Sequence, residues 1–146
     1  MVSSTRLRET IRAGGLDLAG QMLGRTYSLS GRVIHGNQLG GRIGFPTANL
    51  DVAGLVLPPD GVYAAQVVRD GQTHRAVVNI GLRPTLQDPA PQRHVEAHLL
   101  DFNGPLYGEE LEIALVRKLR DEIKFPSVAA LKEQIARDIA QAKTHI

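Results

Sequence analysis

Residues 31–50 read GRVIHGNQLGGRIGFPTANL, and the fold depends on how this stretch is divided. Gly31 and Val33 continue an alternation begun at Tyr27 and Leu29, the period of a half-buried strand. A glycine-rich turn follows, with Gly36, Gly40, Gly41 and Gly44 around a single cation, Arg42. Glycine lets successive backbone N–H groups converge on one point, a concavity suited to phosphate oxygens. Pro46 then fixes its own φ and biases Phe45 toward extended backbone, holding Thr47 and Asn49 in a set direction. A threonine hydroxyl and an asparagine carbonyl are hard oxygen donors, the kind Mg²⁺ accepts beside nucleotide phosphates. The same residues also suit a surface hairpin in which Thr and Asn make only local turn bonds. On residue chemistry alone both divisions stand.

On the C-terminal side of this stretch, strand signals dominate. Asp51–Gly54 and Leu57–Asp60 are connectors, because Pro58-Pro59 would interrupt any central strand. Residues 61–68, GVYAAQVV, form a strand, Asp70-Gly71 a tight hairpin turn, and residues 74–80 the returning strand. Residues 79–85, NIGLRPT, are a loop punctuated by Gly and Pro, and 86–92 a proline-spaced one. In Arg93–Leu100, alternation puts Val95, Ala97 and Leu99 on one face and His94, Glu96 and His98 on the other. That second face is an ordinary solvated one, and without a third anchor it makes no zinc site. Residues 110–116 alternate again, with Leu111, Ile113 and Leu115 in phase. Residues 119–125 are a charged linker before a helix that Ser127 caps, running to about Lys143. Its apolar face is Val128, Leu131, Ile135 and Ile139. Five or six short strands and one such helix predict a small closed or split antiparallel barrel.

On the N-terminal side, residues 1–25 are of a different kind. Ser4 or Thr5 caps a short helix through Ile11, ended by Gly14-Gly15, and Asp17 starts another that stops at Gly24. With little core of their own, they are a segment distinct from the barrel domain of residues 26–146.

Composition bounds the classes. The chain has 146 residues, 42% of them apolar and 22% charged, enough for one domain with a real core. A net charge of +2 gives no electrostatic case for nucleic acid, and three Tyr, three Phe and no Trp leave few stacking platforms. There is no Cys, which removes disulfides, thiolate metal sites and cysteine nucleophiles. No apolar run approaches a membrane span and no signal-peptide core is present, so no membrane partner and a cytoplasmic location are expected.

Several separated motifs, in order over roughly residues 26–143, resemble the riboflavin kinase family. GRVIHG…GFPTANL is similar to that family's ATP- and Mg-binding segment, with PTAN its most diagnostic string. Residues 79–85 resemble its N-I-G-x-R-P-T loop, and 96–108 its E-x-H-L-L-D-F…L-Y-G block. Residues 119–125 resemble its L-R-x-E-x-x-F flavin loop. The resemblance implies a six-stranded antiparallel Greek-key barrel with a C-terminal helix and short N-terminal helices. It implies phosphorylation of riboflavin to FMN by ATP, with Glu96 as catalytic base and Mg²⁺ on Thr47 and Asn49. ATP would be bound by Leu29, His35, Gly36, Gly41, Leu99, Asp101 and Tyr107, and the flavin by Arg120, Glu122 and Phe125. His98 matches the family block but is given no chemical step. Ser3–Arg8, SSTRLR, resembles the last motif of an FMN adenylyltransferase module, to which this kinase is normally fused. The H-x-G-H motif of that module is missing, so residues 1–25 are expected to be its remnant and FAD formation to be absent. A monomer is expected. A non-catalytic flavin-binding module is the alternative; it would keep the flavin loop and could dispense with Thr47, Asn49 and Glu96.

Overall fold

Asp70 and Gly71 both take positive φ, 49° and 77°, the geometry of a two-residue primed turn. The strands on either side pair without interruption from Arg69↔Gln72 to Gly61↔Ile80. The computed structural model describes residues 3–35, 44–83 and 92–146, with Arg83 by its backbone alone. Among these, six strands are formed: β1 (Ser28–Ile34), β2 (Ala48–Leu50), β3 (Gly61–Arg69), β4 (Gln72–Arg83), β5 (Gln92–Leu99) and β6 (Glu110–Arg120). They close into an antiparallel barrel in the order β1-β2-β5-β4-β3-β6. The β3-β4-β5 meander with β2 lying beside β5 is a Greek key, so the expected barrel is the one observed.

Alternation decides what the barrel contains. Leu29 and Val33, Tyr63, Ala65 and Val67, Val78 and Ile80, Val95, Ala97 and Leu99, and Leu111, Ile113 and Leu115 send their side chains into one core. Gly31 shares the parity of Leu29 and Val33, and a Cβ there would lie 2.6 Å from the Asp51 carbonyl oxygen, so the close approach of this backbone requires glycine. Two strands run longer than their alternation suggested. β4 continues through Gly81 to Arg83, so residues 79–83 are strand rather than loop. β6 continues past Val116 to Arg120, with register shifts opposite Val62/Tyr63 and Ala64/Ala65. Each bulge adds a residue and breaks the two-residue period, which hid the end of the strand.

Tyr27 and Tyr63 fasten the proline connector. Their hydroxyls donate to the carbonyls of Val56 (2.5 Å) and Pro59 (2.6 Å), and Arg93 donates to Asp60 (2.9 Å) and to the Pro58 carbonyl. Burial pushes the Tyr63 phenol from 10.0 up to about 12, against the lowering effect of Arg93, and raises Tyr27 as well. A phenol raised by folding contributes its stability fully below the unfolded pKa and loses it as pH rises through the folded one. The urea midpoint should therefore fall between about pH 10 and pH 12, and Tyr63→Phe should make that fall shallower; equal slopes would remove Tyr63 as its source.

Three helices complete the described fold: α1 (Ser4–Arg12), α2 (Leu16–Leu23) and α3 (Val128–Ala142). Ser3 caps α1, one residue earlier than expected, by accepting from the Arg6 N–H at 3.1 Å. α2 starts at Leu16 and ends, as expected, at Gly24 with φ 75°. These helices bury Ile11 and Ala19, more core than their composition suggested. Ser127 caps α3 through the Ala130 N–H (3.1 Å). α3 covers the outer wall, where Ala142 joins Val62, Ala64, Val77 and Leu100 in a second cluster flanked by Leu119, Ile139 and Ile146. Val128, expected on the apolar face, is exposed, and the acidic Asp138 is buried instead. No helix among the described residues is long and apolar enough to cross a membrane.

Candidate active site

Strand β5 carries the centre of the site. Its inward residues Val95 and Ala97 are core, which turns Glu96 to the outer wall. Register places Asn49 of β2 on one side of Glu96 and Asn79 of β4 on the other. Directly opposite side chains on one face have Cβ atoms about 4.5–5.5 Å apart, so the carboxylate sits between two amides. Glu96 is 8% exposed and Asn49 6% exposed; the expectation of a solvated face fails at Glu96, which Asn49 and Asn79 flank on either side. One step along the same face, Gly81 lies opposite His94. A Cβ at Gly81 would meet the Glu122 carboxylate at 2.9 Å and the Asn79 side-chain oxygen at 3.4 Å. A polar strip therefore crosses the outer wall, from Glu122 over Asn79 and Glu96 to Asn49. Asn79 was not singled out from the sequence, although its place in the N-I-G string was a usable signal. His94 Nε2 lies in the same region, buried and without a hydrogen-bond partner among the described residues.

The strip ends at a cleft of about 220 Å³. Thr47 and Asn49 line it together with His35, Leu99, Phe102 and Tyr107, and the rings of His35 and Tyr107 stack at 3.8 Å. Glu96 is not among the described residues lining this cleft; it meets the cleft through its register partner Asn49. Of the residues assigned to ATP, the structure brings His35, Leu99 and Tyr107 together. Leu29 is wholly buried in the barrel core and presents no surface. Asp101, at φ 55°, bonds Arg75 at 3.1 Å and lies outside the cleft lining. Gly36 and Gly41 fall outside the described residues.

No group of three or more His, Cys, Asp or Glu among the described residues could hold a metal ion. Thr47 and Asn49 offer two neutral hard oxygens on one cleft wall. Such a pair fits Mg²⁺, which keeps several waters and takes further oxygens from substrate phosphates.

At the other end of the strip, Arg120 is the last residue of β6 rather than part of the loop. Its guanidinium grips Asp138 of α3 in two parallel bonds, both 2.9 Å, and donates to the Asp121 carbonyl at 3.0 Å. Gln134 donates to the same carboxylate at 2.9 Å. The guanidinium carbon lies 5.7 Å from the Phe125 ring centroid. Arg120 thus ties the barrel, the helix and the 121–125 segment together. Asp138 was missed from the sequence; an acid flanked by Ile135 and Ile139 on the apolar side of a helix was the signal.

A closed barrel with a half-open cleft, hard oxygen donors at its edge and a buried carboxylate beside them defines a small-molecule-binding barrel equipped for polar chemistry. The model of the riboflavin kinase family matches residues 23–146. A bifunctional riboflavin kinase/FMN adenylyltransferase of Haemophilus influenzae is 45% identical over 143 residues, covering 97% of this chain and 46% of the relative. The crystal structure of a protein from Streptococcus pneumoniae described as a macrolide-efflux protein superimposes with a TM-score of 0.86 at 36% identity. That match covers 97% of this chain and 46% of the other. A riboflavin kinase from Trypanosoma brucei shares the fold, with a TM-score of 0.56 at 24% identity over 80% of this chain and 77% of that one. The chain belongs to the riboflavin kinase family and corresponds to the kinase half of the bifunctional enzymes. It spans less than half the length of the curated relatives it matches.

Proposed function

We propose that this domain transfers the γ-phosphoryl group of ATP to the ribityl 5′-hydroxyl of riboflavin, giving FMN and ADP. The observation that carries the reading is the register of Glu96 with Asn49, since Asn49 shares a cleft wall with Thr47. The carboxylate thereby stands next to the cleft wall that carries the two hard oxygen donors. In the transfer, the 5′-oxygen bonds to phosphorus, the bond from phosphorus to the ADP oxygen breaks, and the hydroxyl proton passes to the Glu96 carboxylate. Thr47 and Asn49 would hold Mg²⁺, which when bound offsets the phosphate charge. His35, Leu99 and Tyr107 would hold the nucleotide, with Gly36 and Gly41 in the preceding turn. Leu29 supports this region by packing, and Asp101 by its bond to Arg75. Most of the acceleration comes from alignment and charge compensation, because phosphoryl transfer asks little covalent work of the protein.

The flavin would lie over the other end of the strip, against Glu122 and Phe125, with Arg120 bracing that segment. The His94 nitrogen there, buried and without a partner among the described residues, supports a ligand with a polar edge. We take the domain to act as a cytoplasmic monomer on these two substrates. The adenylyltransferase activity belongs to the names of the longer relatives, and the reading here concerns the kinase step alone.

Incubation with Mg·ATP and riboflavin should yield FMN and ADP in equal amounts. Riboflavin binding without turnover would overturn the enzyme in favour of a flavin-binding module. Thr47→Ala should weaken Mg·ADP binding by roughly tenfold, the size of one lost charge-assisted contact, while riboflavin affinity stays put. Equal losses for both ligands, read by calorimetry and flavin fluorescence, would contradict a metal role for Thr47.

A further inference from the structure

His98 has no task in the transfer just described, yet it makes a directed bond. Its Nδ1 lies 2.7 Å from the Pro46 carbonyl oxygen, across 52 residues of sequence. A carbonyl only accepts, so Nδ1 carries the proton and donates. The same ring meets Phe45 edge to face, with centroids 5.8 Å apart at 82°. The two contacts grip adjacent residues immediately before Thr47.

The ladder explains why that grip matters. β2 has only three residues, and its pairing with β5 runs from Leu50↔Val95 to Ala48↔Ala97. Phe45, Pro46 and Thr47 precede the first paired residue, so the ladder does not hold them. Pro46 has no N–H with which to join one. Thr47 therefore stands between the end of the ladder at Ala48 and the His98 bond to Pro46, fixed from both sides. His98 and Glu96 are two residues apart on one face of β5, so a single rigid strand positions both the carboxylate and the Thr47 turn.

We infer that His98 is a positioning residue: it clamps the Phe45-Pro46 turn so that the Thr47 hydroxyl stays beside Asn49 for a divalent cation bound with nucleotide phosphates. This rests on the cation–nucleotide reading of the cleft. The competing account is that His98 only fills space on the outer wall against its register partner Val77.

The test compares His98→Phe, which keeps a ring against Phe45 and loses the donor, with His98→Asn, whose side-chain N–H can occupy the Nδ1 position. Mg·ADP binding is measured by calorimetry, riboflavin binding by fluorescence quenching, and folding by the thermal midpoint. His98→Phe should weaken Mg·ADP roughly three- to tenfold, the range of one lost hydrogen bond. Riboflavin affinity should be unchanged, and His98→Asn should recover most of the loss. Unchanged Mg·ADP affinity in His98→Phe, equal losses for both ligands, or no recovery in His98→Asn would each overturn the clamp. If the Phe variant does not fold, His98→Asn against His98→Ala carries the same contrast. Thr47→Ala separates this from failure of the underlying reading. If it weakens Mg·ADP while His98→Phe does not, only the clamp is lost; if neither does, the cation site itself is lost.

Discussion

Glu96→Gln is expected to lower kcat for FMN formation by roughly 10²–10⁴, the span usual for removal of a general base. Both ligands should still bind. The substitution exchanges a carboxylate for an amide of nearly the same volume, so the outer wall keeps its packing. The amide also keeps hydrogen-bonding capacity toward Asn49 and Asn79, the neighbours in register. What it loses is the capacity to accept a proton and hold it. The loss should therefore fall on kcat, with the KM for Mg·ATP changed little, the pattern of an interaction made in the transition state. Steady-state kinetics with a parallel thermal melt check this. A variant that melts like the parent and turns over within threefold of it would exclude Glu96 from proton transfer.

That a carboxylate at this position is buried could not be read from alternation. The pattern of Arg93–Leu100 correctly separates Val95, Ala97 and Leu99 from His94, Glu96 and His98. It describes one strand, however, while burial of the second face depends on what lies over it. Asn49 and Asn79 come from strands 47 and 17 positions away in sequence, and only register aligns them with Glu96. The Asp70-Gly71 hairpin, by contrast, was legible because a two-residue turn fixes its own register. β6 was legible as far as its alternation persisted and no further, since its bulges change the phase. Arg120 was picked out through family resemblance as a flavin-site residue. Its actual engagement with Asp138 depends on the placement of α3, which the charged stretch before Ser127 does not encode. Leu29 marks the reverse case: the resemblance assigned it to ATP, while it shares the strand parity of Val33 and lies with it in the core.

Asp138→Ala should be among the most destabilising single changes in the domain, costing about 3–5 kcal/mol, as when one partner of a buried ion pair is removed. The Asp138 side chain is 3% exposed and that of Arg120 18%. The guanidinium fork and the Gln134 amide both converge on the one carboxylate. Truncation leaves a largely desolvated cation and an amide facing a void. The expected loss is a large share of the roughly 5–15 kcal/mol that folded domains possess, and urea denaturation would register it directly. Replacing both partners, as Arg120→Met with Asp138→Leu, should restore much of the stability, because paired apolar groups carry no desolvation penalty. The double variant should not restore riboflavin affinity, since the guanidinium that braces Phe125 and bonds the Asp121 carbonyl is gone. Stability and flavin binding would then part company in one protein. A double variant that regained both would mean that the ion pair serves packing alone, and that the 121–125 segment keeps its shape without Arg120.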